Sequence, residues 1–204
     1  MYYFYYVGWA IAQVLKEEVR NKILHAAETV FFEHDYRSAK LTTIAENANI
    51  PVALIYTYFK NKSALFDEVV KGMLNHLIQI MEEEEKLPTA SPYERFKQTS
   101  AQYIPAIFKE RKKLIILIDK SAGTKHEKAK EIWVARLSLH IQEGLKRYSK
   151  VDYDPMLSHI LANNYIEGMM EIARHYQNEQ WANEMVSILN KCYFFGVESL
   201  SHSK

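Results

Sequence analysis

The sequence predicts an all-α fold, with a small N-terminal three-helix module followed by a larger helical domain. Three observations predict it. Among 204 residues only 6 are Gly and 5 are Pro, too little punctuation for many short strands. Apolar residues recur at helical spacing in segment after segment. Hydrophobic residues make up 48% and charged residues 25%, which suits a folded chain long enough to bury a real core.

Composition also excludes. The net charge is +1, so no global field draws the chain to nucleic acid or membrane, and any such binding must come from a local patch. The single cysteine, Cys192, allows neither a disulfide framework nor a Cys-based zinc site within one chain and fits a reducing cytoplasm. The histidines are scattered with no H-E-x-x-H pattern, so neither metal nor cofactor is expected. Asp119, His126, Glu143, His159, Glu167 and Glu171 have no spacing that ties them to chemistry, so no enzyme is expected.

The elements follow in order. Residues 1–15, MYYFYYVGWAIAQVL, carry no charged side chain. They are fewer than the ~20 needed to span a bilayer and lack the positive start of a signal peptide. Val7, Ile11, Leu15, Val19 and Ile23 fall at every fourth position, so the segment reads as an apolar extension of the first helix, and a membrane partner is not expected.

Residues 16–64 read as a DNA-binding module. The first helix carries Val19, Ile23, Ala26, Ala27, Val30 and Phe31 on one face. Asp35 is placed in a left-handed turn at its end. A short second helix holds Leu41, Ile44, Ala45 and Ala48, with Ser38 as its candidate cap. Asn49 takes a left-handed turn and Pro51 opens a third helix that runs to about Phe59. Ser63 is the candidate cap of a fourth.

Two helices joined by such a tight turn form a helix-turn-helix, whose second helix enters the DNA major groove. Ile55 and Phe59, one turn apart, should face the core. Ala53, Tyr56, Thr57 and Lys60 share another face, and Val52, Leu54 and Tyr58 complete the DNA-side candidates. A tyrosine hydroxyl can donate to phosphate, the methyls of Val52, Ala53 and Thr57 can meet thymine methyls, and Lys62 can neutralise a phosphate. No Arg, Asn or Gln stands between Pro51 and Phe59, so the strongest bidentate base readers are absent. Across residues 16–71 eight basic side chains (Lys16, Arg20, Lys22, Arg37, Lys40, Lys60, Lys62, Lys71) meet eight acidic ones, which predicts weak non-specific DNA affinity.

Residues 65–204 read as helix upon helix. Val69, Met73, Leu77, Ile80 and Met81 share a face, and residues 82–85, all Glu, read as a solvated helix end. Pro105 should kink or interrupt its helix. A short buried helix ends near Gly123. The next presents Ile132, Ala135, Leu139 and Gly144 on part of its face. In the last two segments Ile160, Leu161, Tyr165, Ile166, Met169, Met170 and Ile172 are too many for one stripe and read as burial on two faces.

The stretch ILHAAETVFFEHDYRSAKLTTIAENANIPVALIYTYFKNKSALF resembles the N-terminal module of TetR-type transcriptional repressors. The resemblance is carried by Ile23, Leu24, Ala26, Ala27, Phe31, Ile44, Ala45, Ala48, Ile55, Tyr56, Phe59, Lys62 and Leu65. The chain departs from the family where Asp35 and Asn49 replace glycine and Pro51 replaces a Ser or Thr cap. The resemblance implies that Thr42 contacts DNA. It implies a homodimer through the two C-terminal helices on a palindromic double-stranded DNA operator, with repression as the usual outcome. It also implies a small-molecule pocket inside the C-terminal helices, with an apolar or aromatic effector. Candidate lining residues are Met73, Leu77, Met81, Tyr103, Phe108, Trp133, Leu137, His140, Asn163, Ile166 and Met170, of which His140 and Asn163 supply polar groups. The alternative is a helical membrane-surface or protein-interaction module that has lost specific DNA binding.

Overall fold

The computed structural model describes the backbone of residues 2–87 and 92–201, and the side chains of 15–87, 94–147, 149–197, 199 and 200. These residues form ten α-helices and no strand: α1 Tyr2–Glu33, α2 Leu41–Asn47, α3 Val52–Tyr58, α4 Lys62–Val69, α5 Met73–Glu85, α6 Pro92–Lys109, α7 Arg111–Asp119, α8 Ala129–Tyr148, α9 Pro155–Arg174 and α10 Glu179–Ser201. The all-α expectation holds. None of the described helices is long and apolar enough to cross a membrane.

In α1 the stripe Ile23, Ala27, Val30 and Phe31 is fully buried, as the periodicity requires. Val7 and Ile11 lie outside the described side chains, and Leu15 is 56% exposed, so the core does not reach it. The turn after α1 is built differently from expectation. Asp35 is not left-handed; its Oδ1 accepts the backbone N–H of Ser38 at 2.7 Å. That hydrogen bond holds the Asp35 carboxyl below its ordinary range. Ser38 is therefore used in the turn, and α2 starts from Lys40 with no side-chain cap. Asn49 does take the left-handed conformation, with φ 55°, and closes α2 onto α3. Pro51, φ −63°, sits just before the first helical residue of α3. The α4 cap is Asn61 rather than Ser63, because helix begins at Lys62 and the Asn61 side chain accepts from Ala64 N at 2.8 Å.

Beyond α4 the stripe Val69, Met73, Leu77 stays buried but is split between two helices. The chain breaks at residues 70–72, where Gly72 has φ 79°. α6 runs through Pro105 uninterrupted to Lys109. Proline costs α6 only the bond to the Ala101 carbonyl, near the helix end. α7 is the central helix. Leu114, Ile115, Ile116 and Leu117 are buried in succession because α1, α5, α6, α8 and α9 surround it.

α8 presents the opposite face from the one expected. Ile132 and Leu139 are 45% and 53% exposed, while Trp133, Val134, Ile141 and Leu145 are buried. The sequence holds two partly apolar stripes, and packing on α9 and α5 selects the second. In α9, Tyr165, Ile166, Met169, Met170 and Ile172 are all buried within one chain, because α7, α8 and α10 pack around it. Their abundance therefore needs no second subunit. Of that set only Ile160 is exposed and Leu161 half-buried. Gly168 lets α9 and α10 close together: a Cβ there would stand 3.0 Å from both Leu189 methyls.

The module meets the helical domain at the α7–α8 loop. Tyr36 N donates to Lys120 O at 2.9 Å. Asp67 on α4 pairs with His126 Nε2 at 2.9 Å and Lys125 Nζ at 2.8 Å. Both flanks of that loop are tied to α9, through Asp119 with Arg174 at 2.8 Å and Lys130 with Glu167.

Candidate nucleic-acid interface

α3 is anchored from below and open above. Ile55 is 1% exposed and Phe59 6%, one turn apart in the module core. The opposite face is built from Ala53, Tyr56 and Thr57, all exposed, with Tyr56 at 55%; Lys60, exposed as well, follows the extended Phe59 beyond the end of α3. Thr42 on α2 is exposed as well. Leu54 is half-buried, and Val52 and Tyr58 lean partly on the core, so less of their surface remains for DNA.

Lys62 is turned inward, a correction to its expected contact with phosphate. Its Nζ donates to the carbonyls of Tyr36 at 2.7 Å, Ala39 at 2.9 Å and Arg37 at 3.3 Å, and lies 4.5 Å above the Tyr36 ring. All three ammonium hydrogens thus tie α4 to the turn before α2. Lys62→Met should therefore lower module stability by about 1–3 kcal/mol, the range for losing charge-assisted hydrogen bonds to carbonyls that are partly buried. A thermal melt reads this, and the slope of log affinity against log salt for DNA should stay unchanged. A phosphate contact would do the reverse, cutting the slope by about one with stability intact.

Two more basic residues are engaged. Arg20 pairs with Glu68 at 2.7 Å and lies 5.6 Å above the Phe59 ring. Lys71 reaches the same carboxylate at 3.3 Å. The Arg20 hydrogen bond holds Glu68 below its usual range.

The expected effector residues do not form one chamber. Met73, Leu77, Phe108, Trp133, Ile166 and Met170 are packed core. Met81, Tyr103 and Leu137 lie half-buried against it. Asn163 is exposed on α9 and so is not an interior polar group. Only Met81 and His140 reach the open cleft between α5 and α8, lined also by Ile78, Glu82, Glu85, Arg136, Leu139 and Glu143. Its volume of about 180 Å³ is small for a ligand pocket.

His140 bridges two carboxylates, with Nδ1 3.1 Å from Glu85 and Nε2 3.5 Å from Glu84. Glu84 is 4% exposed and faces Arg95 at 4.0 Å, so the acidic run is not wholly a solvated end. The periodicity could have signalled this, since Glu84 follows Leu77 and Ile80 on the buried face of α5. Burial acts to lower the His140 pKa, but its bonds and charge interactions with Glu84 and Glu85 outweigh that and leave it raised above 6.5. A raised folded-state pKa stabilises fully below the unfolded value and is lost as pH climbs through the folded one. Thermal melts should thus fall as pH rises above 6.5, and His140→Gln should flatten that part of the profile.

Among the described residues no group of three or more His, Cys, Asp or Glu could hold a metal ion. Residues 23–69 match the profile of bacterial regulatory proteins of the tetR family. The chain is 36% identical over 64 residues to the uncharacterized HTH-type transcriptional regulator YhgD of Bacillus subtilis, covering 31% of this chain and 34% of that protein. It therefore spans about a third of that relative's length. Over 150 residues it is 25% identical to the HTH-type transcriptional repressor KstR2 of Mycobacterium tuberculosis, covering 66% and 71% of the two chains. Its fold is similar to that of SCO3833 from Streptomyces coelicolor A3, described as a member of the TetR transcriptional regulator family, with TM-score 0.68 at 17% identity over 85% of this chain and 90% of that one.

Proposed function

We propose that the chain is a transcriptional repressor of the TetR type, a reading supported by the match of its N-terminal module and by the likeness of its helical frame. It binds a palindromic operator as a homodimer and releases it when a small molecule occupies the C-terminal domain. The observation that carries the DNA part is the face of α3. Ala53, Tyr56, Thr57 and Lys60 stand exposed while Ile55 and Phe59 lock the helix from behind. A rigid helix with an open face is what groove insertion requires.

The dimer is supported by apolar side chains left outside on the last two helices. Met156 and Ile160 on α9 are 58% and 47% exposed, and Ile188 and Phe195 on α10 are 47% and 58% exposed. Twofold pairing of these helices would set two α3 helices on half-sites about one DNA turn, roughly 34–36 Å, or a multiple of it, apart. The effector part is supported by the α5–α8 cleft. Ile78, Met81 and Leu139 offer apolar contact there, and Glu82, Glu85, Arg136, His140 and Glu143 offer polar groups of both charges.

The test is equilibrium binding of the purified protein to a randomised duplex library and to the DNA upstream of its own gene, at two salt concentrations. Saturable, sequence-selective binding that a Tyr56→Ala, Lys60→Ala variant loses supports the reading. Binding equal on all sequences and indifferent to the variant ends it.

A further inference from the structure

We propose that α3 reads its half-site mainly through thymine methyl groups, so that the steps it covers are A·T-rich and are recognised by apolar contact. The inference rests on the operator-binding reading above and names the class of DNA that the surface fits. In the major groove, guanine is read by Arg or Lys, adenine by Asn or Gln, and cytosine by an acidic acceptor. Only thymine offers an apolar feature, its C5 methyl.

The exposed face of α3 consists of the Ala53 methyl, the Tyr56 ring and hydroxyl, and the Thr57 methyl and hydroxyl, with the exposed Lys60 following just past the helix. It holds no guanidinium, no carboxamide and no carboxylate. Several side chains nearby that could supply one are committed or placed elsewhere: Arg37 lies beside Gly123 in the α7–α8 loop, and Glu46 belongs to α2. Arg20 is paired to Glu68 and stacked on Phe59. Asn61 caps α4. Lys62 is bound to three carbonyls. Asn47 and Asn49 belong to the end of α2 and the turn, not to the α3 face. What remains to discriminate bases is chiefly methyl against methyl, with the Tyr56 and Thr57 hydroxyls and Lys60 able to serve a phosphate or a single base edge.

Burial of one methyl group corresponds to about fourfold in affinity. The experiment starts from the operator obtained by selection and replaces each thymine of a half-site by uracil, which deletes the methyl and leaves pairing intact. Two or more positions should each weaken binding about fourfold. Thr57→Ser removes a protein methyl and keeps the hydroxyl. It should weaken binding to the thymine duplex and leave binding to the uracil duplex at its contacted position unchanged. Affinity indifferent to every uracil substitution overturns the inference while leaving an intact operator complex, as does a selected half-site that is G·C throughout. Failure to select any sequence overturns both this inference and the operator-binding reading.

Discussion

If the proposed homodimer pairs through α10, the double substitution Ile188→Glu, Phe195→Glu turns the protein into a folded monomer and weakens operator binding by about 10²–10⁴-fold, the loss that follows when two linked binding modules are separated. Both side chains are exposed in the single chain, at 47% and 58%, and neither belongs to the buried core. They lie seven residues apart on one stripe of α10, with exposed Cys192 between them. In a two-helix dimer interface their carboxylates would be buried without partners, which costs several kcal/mol. Sedimentation equilibrium reads the mass, and a melt close to wild type shows that the fold survives. Cys192 supplies an independent reading. A thiol reagent should modify it slowly in the wild type and promptly in the variant. A variant that stays dimeric, with Cys192 equally reactive in both proteins, would place the interface elsewhere.

Phe66→Ala is expected to destabilise the protein by about 3–5 kcal/mol, the range for deleting a buried aromatic side chain. Phe66 is fully buried, with its ring edge-on to Phe31 at 5.0 Å and Tyr36 at 5.2 Å, and 6.1 Å from His126. It stands where α1, the turn after it, α4 and the α7–α8 loop converge. Its loss also leaves the neighbouring junction bonds, Tyr36 with Lys120 and Asp67 with His126, without the packing that orders them. Denaturant unfolding gives the measurement, with Tyr56→Ala as the contrast. That side chain is exposed, and its loss should change stability by no more than about 0.5 kcal/mol. A cost for Phe66→Ala near that of Tyr56→Ala would mean that the junction is not held by packing at this ring.

The elements that depend on neighbouring residues were legible in the sequence. Helical period placed Ile55 and Phe59 inside and Tyr56 outside, and the structure agrees. Asn49 was readable as a left-handed turn because few other residues tolerate that geometry. The module could be recognised for the same reason: its spacing and its turn lie within one short stretch, residues 23–69.

What only the tertiary structure decided depends on partners far along the chain. Lys62 sits in a basic run and reads as a phosphate contact, yet the carbonyls it serves are 23 to 26 residues upstream. Glu84 reads as part of a solvated acidic end until Arg95 and His140 arrive from two other helices. α8 carries two candidate stripes, and the choice fell to packing against α5 and α9. Asn163 was read as an interior polar group from its position among apolar neighbours, and it points outward because the buried stripe of α9 runs through Ala162, Tyr165, Ile166 and Met169. Sequence period determines that a helix has an apolar side and a polar side. Which side meets the core, and which charge finds a partner, is settled by the elements that pack beside it.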